Sequence, residues 1–204
     1  MYEFIILSQL MLGPRHGYLI AKIINDIIGP YARLSPGRLY PLLAKMQQNG
    51  LIEANETSEK RAQGDHQSRA YKITEAGWQR FYVLMRDTSS SPGEYHKLFA
   101  YKVSAFGFIA PIERVALIDH YIHYCQAHVF HQQSEEDDLV RNGHGYTESD
   151  PSKLGFTLEV LRHSIDGWQH ELDWAKSLRI QEFAQIEPTE QANNQESTLQ
   201  EKPL

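Results

Sequence analysis

The segment from Ser35 to Gln48 carries cationic and amide side chains at spacings that place them on one side of a helix. Ser35-Pro36 predicts a helix start, because serine caps a first turn and proline fits its first position. Apolar residues then recur at i, i+3, i+4 and i+7, and Gly50 closes the helix. At about 100° per residue, the opposite face holds Gly37, Arg38, Tyr40, Pro41, Ala44, Lys45, Gln47 and Gln48.

That residue set is suited to contact with double-stranded DNA. Small residues at the centre of the face, such as Gly37 and Ala44, let a helix approach the floor of the major groove. Arg38 and Lys45 can reach phosphates, and the amide of Gln48 can reach base edges. The alternative interpretation is an ordinary solvated helix face, since many surface helices carry two cations and two glutamines.

A second basic segment lies between two short apolar stretches, Leu51-Ile52 and Tyr71-Lys72-Ile73. Residues 56–68 between them are polar apart from Ala62, and the connecting segment includes Lys60, Arg61 and Arg69. This pattern predicts two antiparallel strands joined by a long solvated tip, a wing whose basic side chains could touch the DNA backbone or minor groove. Acidic residues in the same tip dilute the charge, so the wing alone is weak evidence.

Histidines and acidic residues in the second half do not form a convincing metal or catalytic site. Four histidines between His120 and His131 fall on a helix side away from the apolar face, which favours a solvated flank. The acidic run at 135–138 lacks the spacing of a calcium loop. Cys125 falls among apolar positions and is predicted to be buried. We therefore predict no catalytic residue, no metal and no cofactor.

The elements that must position the basic residues form an N-terminal domain, predicted over residues 1–90. Two apolar helices, 4–12 and 18–28, flank the turn Gly13 to Gly17, and the Ser35 helix is the third. The two wing strands follow it. Thr74 can cap a fourth helix, and Ser89 to Gly93 has the composition of a linker. The predicted fold is mainly α with a small β-wing, a winged helix-turn-helix.

The second half is predicted to be a helical domain over residues 91–186. One helix runs from about Pro111 to Glu136, and a longer one follows Pro151. The last helix has apolar residues at alternating spacings of four and three, the repeat of a coiled-coil seam, which predicts a homodimer interface. The seam comprises Leu154, Leu158, Leu161, Ile165, Trp168, Leu172 and Ala175. Residues 187–204 are polar and are predicted to be disordered.

Charge is divided unevenly along the chain. The net charge of −6 argues at first against nucleic acid. However, residues 1–90 carry 11 Lys and Arg against 8 Asp and Glu, whereas residues 91–204 carry 9 against 18. The N-terminal apolar run is too short to span a membrane and has no signal-peptide flank. With a single cysteine and no disulfide, we expect a cytoplasmic protein with no membrane role.

The motifs of the N-terminal domain resemble those of the PadR family of transcriptional regulators. The matching stretches are Gly17-Tyr18 opening the second helix, Leu39-Tyr40-Pro41-Leu42-Leu43 in the third, Gly50-Leu51-Ile52 entering the wing and Tyr71-Lys72-Ile73-Thr74-Glu75-Ala76-Gly77 leaving it. The second half also resembles the longer subgroup of the family, so the resemblance covers about residues 2–180. The wing tip departs from the family pattern because it is longer and less basic.

The resemblance implies an effector-responsive repressor, less often an activator, that binds operator DNA as a homodimer. It adds Tyr18 and Ser35 to the candidate DNA-binding residues. A small aromatic effector is expected between the two domains. The motivation is the aromatic density after the boundary together with Trp168, and the candidate residues are Tyr95, Phe99, Phe106 and Trp168. These aromatics could equally fill the junction between the domains.

Two other functions stay open at this point. A winged helix can serve protein contact without binding DNA, and the modest excess of three positive charges in the first half is compatible with that. An enzymatic role has only the histidines behind it, because the sequence contains no phosphate loop, nucleophile elbow or zinc-protease motif.

Overall fold

The structure, a computed structural model, describes residues 1–28, 33–55, 69–89, 92–142 and 151–200. For residues 28, 92, 151–153 and 186–200 it describes the backbone alone. The chain divides into two compact units, Met1–Ala105 and Phe106–Leu204. The division therefore falls after Ala105 and not near residue 90, where the sequence predicted it.

The first unit contains five α-helices, a short 3-10 helix (Pro92–Glu94) and three strands within the described residues. The helices are α1 (Tyr2–Met11), α2 (Gly17–Ile28), α3 (Pro36–Gln48), α4 (Glu75–Arg86) and α5 (Tyr95–Ser104). The strands are β1 (Arg15–His16), β2 (Ile52–Ala54) and β3 (Ala70–Ile73). The four predicted helices and the two wing strands are present, which confirms a mainly helical fold with a small β-wing.

The sheet has one strand more than the sequence predicted. Its order is β1-β3-β2, and both pairings are antiparallel. Arg15 lies opposite Tyr71 and His16 opposite Ala70, so the turn between α1 and α2 is a short strand. Two residues are too few to show the alternation by which a strand is recognised in sequence, and β1 was missed for that reason.

The core of the first unit lies between α1, α4 and the sheet. Phe4 of α1 stacks on Phe81 of α4 with ring centroids 5.5 Å apart, and both rings are buried. Thr74 caps α4 as predicted, because its Oγ1 accepts a hydrogen bond from the Gly77 N–H at 3.1 Å. Gly77 has no room for a side chain, since a Cβ there would lie 2.1 Å from the Leu51 carbonyl oxygen.

Helix α5 belongs to the first unit partly because of a buried lysine. The Lys102 side chain is fully buried, and its Nζ donates a hydrogen bond to the Asp87 carbonyl oxygen at the end of α4. The same ammonium lies 5.7 Å from the centroid of the Tyr95 ring. Burial lowers the pKa of Lys102 to about 8, and the nearby Asp87 carboxylate opposes that shift.

The second unit is built on two long helices, α6 (Pro111–Asn142) and α7 (Pro151–Gln200), which pack against each other. Tyr121 of α6 donates a hydrogen bond from its hydroxyl to Glu171 Oε2 at 2.7 Å. Cys125 is fully buried, as predicted, and this burial raises the pKa of its thiol to about 11. Helix α7 continues to Gln200, through most of the segment that was predicted to be disordered. Glutamine, glutamate and alanine favour helix there.

His128 differs from the prediction for the histidines of α6. Its ring stacks on Trp168 with centroids 4.0 Å apart and an interplanar angle of 6°, and it also meets Tyr124 edge-on at 4.6 Å. His128 is therefore part of an aromatic cluster between the helices. At about 100° per residue, His128 lies beside the apolar face of α6 and not within it, so the sequence pattern did not predict this contact.

No helix in the described part of the chain combines the length and the apolar composition needed to cross a membrane.

The buried Lys102 predicts a specific pH dependence of stability. Its pKa of about 8 in the folded chain is below the ordinary value of 10.5, so the unfolded chain binds more protons between these values. The free energy of unfolding should therefore rise with pH across that window. We expect Lys102→Met to be more stable than wild type at pH 7.5. Its advantage should shrink by about 2 kcal/mol by pH 9.5.

Urea denaturation of both proteins at pH 7.5, 8.5 and 9.5 measures this difference. Taking the difference between the two proteins removes the titration of groups they share. Lys97→Met, which changes an exposed lysine of the same helix, is the matched control and should show no such trend. A constant gap between wild type and Lys102→Met would contradict a depressed lysine pKa.

Candidate nucleic-acid interface

The apolar face of α3 anchors it in the first unit. Leu39 and Leu43 are fully buried and Met46 nearly so, while Leu42 is half-buried. These are the four residues predicted to face the core. Because they fix the rotation of the helix, the opposite face is turned outward.

The outward face of α3 consists of exposed residues. Small side chains occupy its middle, and longer polar ones lie at its edges. Its exposed members are Gly37, Arg38, Pro41, Ala44, Lys45, Gln47 and Gln48. Arg38 and Lys45 are seven residues apart, which places their Cα atoms about 10 Å apart along the axis. Within the described residues, neither side chain forms an ion pair or a hydrogen bond.

The first turn of α3 is capped by backbone groups. Ser35 occupies the N-cap position with an extended backbone, and its carbonyl oxygen accepts hydrogen bonds from the N–H groups of Arg38 and Leu39, both at 3.0 Å. Its hydroxyl makes no capping hydrogen bond, contrary to the prediction. Ser35 and Gly37 are both exposed at this helix start, where the Gly37 N–H and the positive end of the helix dipole favour an anion.

Proline at position 41 does not interrupt α3, which runs from Pro36 to Gln48 without a break. A proline in a helix removes one hydrogen bond and crowds the carbonyl group four residues earlier. That residue is Gly37, which is exposed in the first turn. The Pro41 ring and the Gly37 carbonyl group therefore both lie on the outward face, where solvent or a partner can donate a hydrogen bond to that carbonyl group.

Gly17, at the start of α2, joins α3 to the wing. Its N–H donates a hydrogen bond to the Arg69 carbonyl oxygen at 3.2 Å. A Cβ at Gly17 would lie 3.0 Å from Tyr40 Cε1, so the Tyr40 ring of α3 occupies the space that a side chain would fill. Tyr40 is thus half-buried against α2, which gives it a packing role that the sequence did not reveal.

Of the remaining candidate DNA-binding residues, the structure describes Tyr18 and Arg69. Tyr18 is 58% exposed, and its ring stacks on His16 with centroids 5.6 Å apart. Arg69 is exposed immediately before β3. Lys60 and Arg61 lie outside the described residues.

The predicted dimer seam of α7 is engaged within the chain. Leu172 and Ala175 are buried, and Trp168 packs on His128 of α6. The other four members, Leu154, Leu158, Leu161 and Ile165, are half-buried. Trp168, Leu172 and Ala175 therefore take part in the α6–α7 contact, which a heptad pattern cannot distinguish from a contact between two chains. The seam as a dimer interface stays a prediction.

A different stripe of α7 faces outward. Phe156 is 75% exposed, Val160 69% and Trp174 36%, and the Trp174 ring also meets Tyr121 of α6 edge-on with centroids 6.2 Å apart. At about 100° per residue, they lie on the side of the helix opposite the predicted seam. The exposed residues His163, Gly167 and His170 fall between them at the same alternating spacing of three and four. We refer to these six residues as the outer stripe.

The candidate effector residues are packing residues within their own units. Tyr95 and Phe99 of α5 are buried in the first unit, and Phe106 is buried in the second. Trp168 is half-buried against His128. Among the described residues, no group of three or more histidine, cysteine or acidic side chains could hold a metal ion.

Three helices, a small antiparallel sheet and an outward polar face on the third helix define a winged helix-turn-helix domain. Residues 6–82 match the model of the Transcriptional regulator PadR-like family. This match confirms the resemblance drawn from the sequence motifs, and it places this domain with transcriptional regulators and not with enzymes. No curated protein matches the sequence.

Several solved structures are similar to the chain. PadR from Bacillus subtilis in complex with operator DNA is 17% identical, with a TM-score of 0.38; the match covers 88% of this chain and 96% of that one. The virulence activator AphA of Vibrio cholerae is 20% identical, with a TM-score of 0.35, over 91% of this chain and 99% of that one. A PadR-like transcriptional regulator from Bacillus cereus is 17% identical, with a TM-score of 0.34 and the same coverage.

Proposed function

We propose that this chain is a cytoplasmic repressor that binds double-stranded operator DNA as a homodimer. The observation that carries the proposal is the outward face of α3, where Arg38, Lys45 and Gln48 are exposed around a centre of small residues. A face of this shape suits the major groove, because the backbone can approach the base edges while the cations meet phosphates on either side.

The other candidate residues take supporting roles in this proposal. Ser35 and Gly37 offer a helix start to a phosphate, and Arg69 and Tyr18 extend the contact toward the flanking backbone. Tyr40 sets the position of α3 through its packing on Gly17. Lys60 and Arg61 remain predicted contacts of the wing.

Dimerisation is proposed through the outer stripe of α7. The predicted seam, three of whose members pack within the chain, is the alternative interface. Three large apolar side chains exposed along one helix face typically mark a protein interface. A twofold dimer would present two copies of α3 to half-sites about one helical turn, 34 to 36 Å, apart or a multiple of that distance.

An effector response remains a prediction. The burial of Tyr95, Phe99 and Phe106 favours packing for these aromatics. A tenfold loss of DNA affinity would require about 1.4 kcal/mol of coupling, and DNA would weaken effector binding by the same factor.

Removing either exposed cation of α3 should weaken DNA binding and its salt dependence. We expect Arg38→Ala and Lys45→Ala each to lower the slope of log affinity against log salt by about 2, because each dimer loses one phosphate contact per protomer, with similar effects across DNA sequences. The measurement is fluorescence anisotropy between 50 and 200 mM salt. The DNA is a duplex that the wild-type protein selects from a random pool.

Lys97→Ala removes the same charge from an exposed position on α5 and serves as the control, which should leave the slope unchanged. If folded, dimeric Arg38→Ala and Lys45→Ala bind the duplex like wild type, α3 is not the interface. A wild-type protein that selects no duplex would instead support a protein-contact role for the winged helix.

A charged side chain in the middle of the outer stripe should separate the dimer. Gly167 is exposed with no atom within 4 Å of an added Cβ, so Gly167→Arg disturbs nothing inside the chain and gains helix propensity. We expect sedimentation velocity at low micromolar concentration to show a dimer for wild type and a monomer for Gly167→Arg.

Gly155→Arg is the matched control. Gly155 is also an open, exposed position of α7, but it lies about 100° around the helix from Phe156. It should remain dimeric. If Gly167→Arg sediments with wild type, the outer stripe is not the interface.

A further inference from the structure

An open groove lies between the C-terminal part of α6 and the N-terminal part of α7. It has a volume of about 600 Å³. Its walls are mainly apolar and include Leu139, Phe156, Val160 and Leu161. This volume falls in the range of small-molecule sites, and all the lining residues belong to the second unit.

One polar atom of the groove lacks a hydrogen-bond partner. Gln132 lines the groove, and its side-chain oxygen is buried without a donor from any residue that the structure describes. Buried acceptors are nearly always satisfied in folded proteins, because leaving one unpaired is costly. A rotation of the half-buried Gln132 side chain would turn this covered oxygen toward the groove, where an N–H group of a bound molecule would supply the missing donor.

Glu135, one helical turn further along α6, adds negative charge to the same wall. It is the one charged side chain among the lining residues. The next two acidic residues are neutralised, since Glu136 pairs with Arg162 at 2.6 Å and Asp137 with Arg141 at 3.2 Å. Glu135 has no such partner among the described residues. An unpaired carboxylate beside an unpaired amide oxygen forms a pair of acceptors.

We propose that this groove binds small hydrophobic amines. An alkyl or aromatic body packs against Leu139, Phe156 and Val160, and the protonated amine donates to the Glu135 carboxylate and the Gln132 oxygen. The charge-assisted hydrogen bond from the ammonium group to Glu135, together with the bond to Gln132, fixes the orientation of the ligand. The apolar walls provide most of the contact. An anion of the same shape is excluded, because it would face a carboxylate and leave Gln132 without a donor.

The site does not depend on DNA binding, because every group it uses lies in the second unit. Phe156 and Val160 at its edge also belong to the outer stripe. A second copy of the chain is therefore the competing occupant.

The test uses 4-phenylbutylamine and 4-phenylbutyrate, which share a hydrophobic body and carry opposite charges. Isothermal titration of the full chain at pH 7 should show saturable binding of the amine. Binding of the acid should be at least tenfold weaker. Glu135→Gln should lower the affinity for the amine at least tenfold. Gln132→Leu should lower that affinity several-fold without lowering the thermal stability of the ligand-free protein.

Asp137→Asn is the control for charge. It removes one negative charge two residues from Glu135, at a carboxylate that is already paired with Arg141. It should change amine affinity less than twofold. The proposal is overturned if the amine fails to saturate, if acid and amine bind equally, or if Glu135→Gln and Asp137→Asn have the same effect. Binding to Gly167→Arg but not to wild type would assign the groove to the partner subunit and would also overturn it.

Discussion

Close approach at two glycines determines how the helices of the first unit meet the sheet. At Gly17, the N-terminus of α2, the ring of Tyr40 and the carbonyl group of Arg69 come together, and an added Cβ would lie 3.0 Å from the Tyr40 ring. At Gly77 the approach is closer, because a Cβ would lie 2.1 Å from the Leu51 carbonyl oxygen. Glycine is suited to such positions because backbone and ring atoms can come nearer to it than to any other residue. The outward direction of the polar α3 face follows from these contacts together with the buried Leu39 and Leu43.

Sequence reasoning succeeded where local pattern determines structure. The spacing of Leu39, Leu43 and Met46 fixed the buried side of α3. The cap at Thr74 followed equally from local chemistry. Reasoning failed where the partner of a pattern lies elsewhere in the chain. The strand Arg15–His16 exists only because β3 pairs with it, and the contact of Tyr40 with Gly17 joins positions 23 residues apart.

The two stripes of α7 show the same limit most clearly. Helix α7 carries two stripes with the same alternating spacing, and the more apolar one was predicted to meet a second chain. In the structure, Trp168, Leu172 and Ala175 of that stripe face α6, so their hydrophobicity is used inside the unit. The less continuous stripe, interrupted by His163, Gly167 and His170, is the one left exposed. Periodicity reveals an apolar face but does not identify what covers it.

The presentation of α3 to DNA can be measured at a single position, Ala44, which is exposed at the centre of the outward face. The experiment attaches an iron–EDTA label to Ala44→Cys. Cys125, the single natural cysteine, is buried with its thiol pKa raised to about 11, so it will not compete for the label. On a bound duplex we predict cleavage confined to two positions separated by about 10 base pairs or a multiple of that spacing. Cleavage no stronger than that from the same label at Ala116→Cys, an exposed position on α6, would contradict the placement of α3 in the groove.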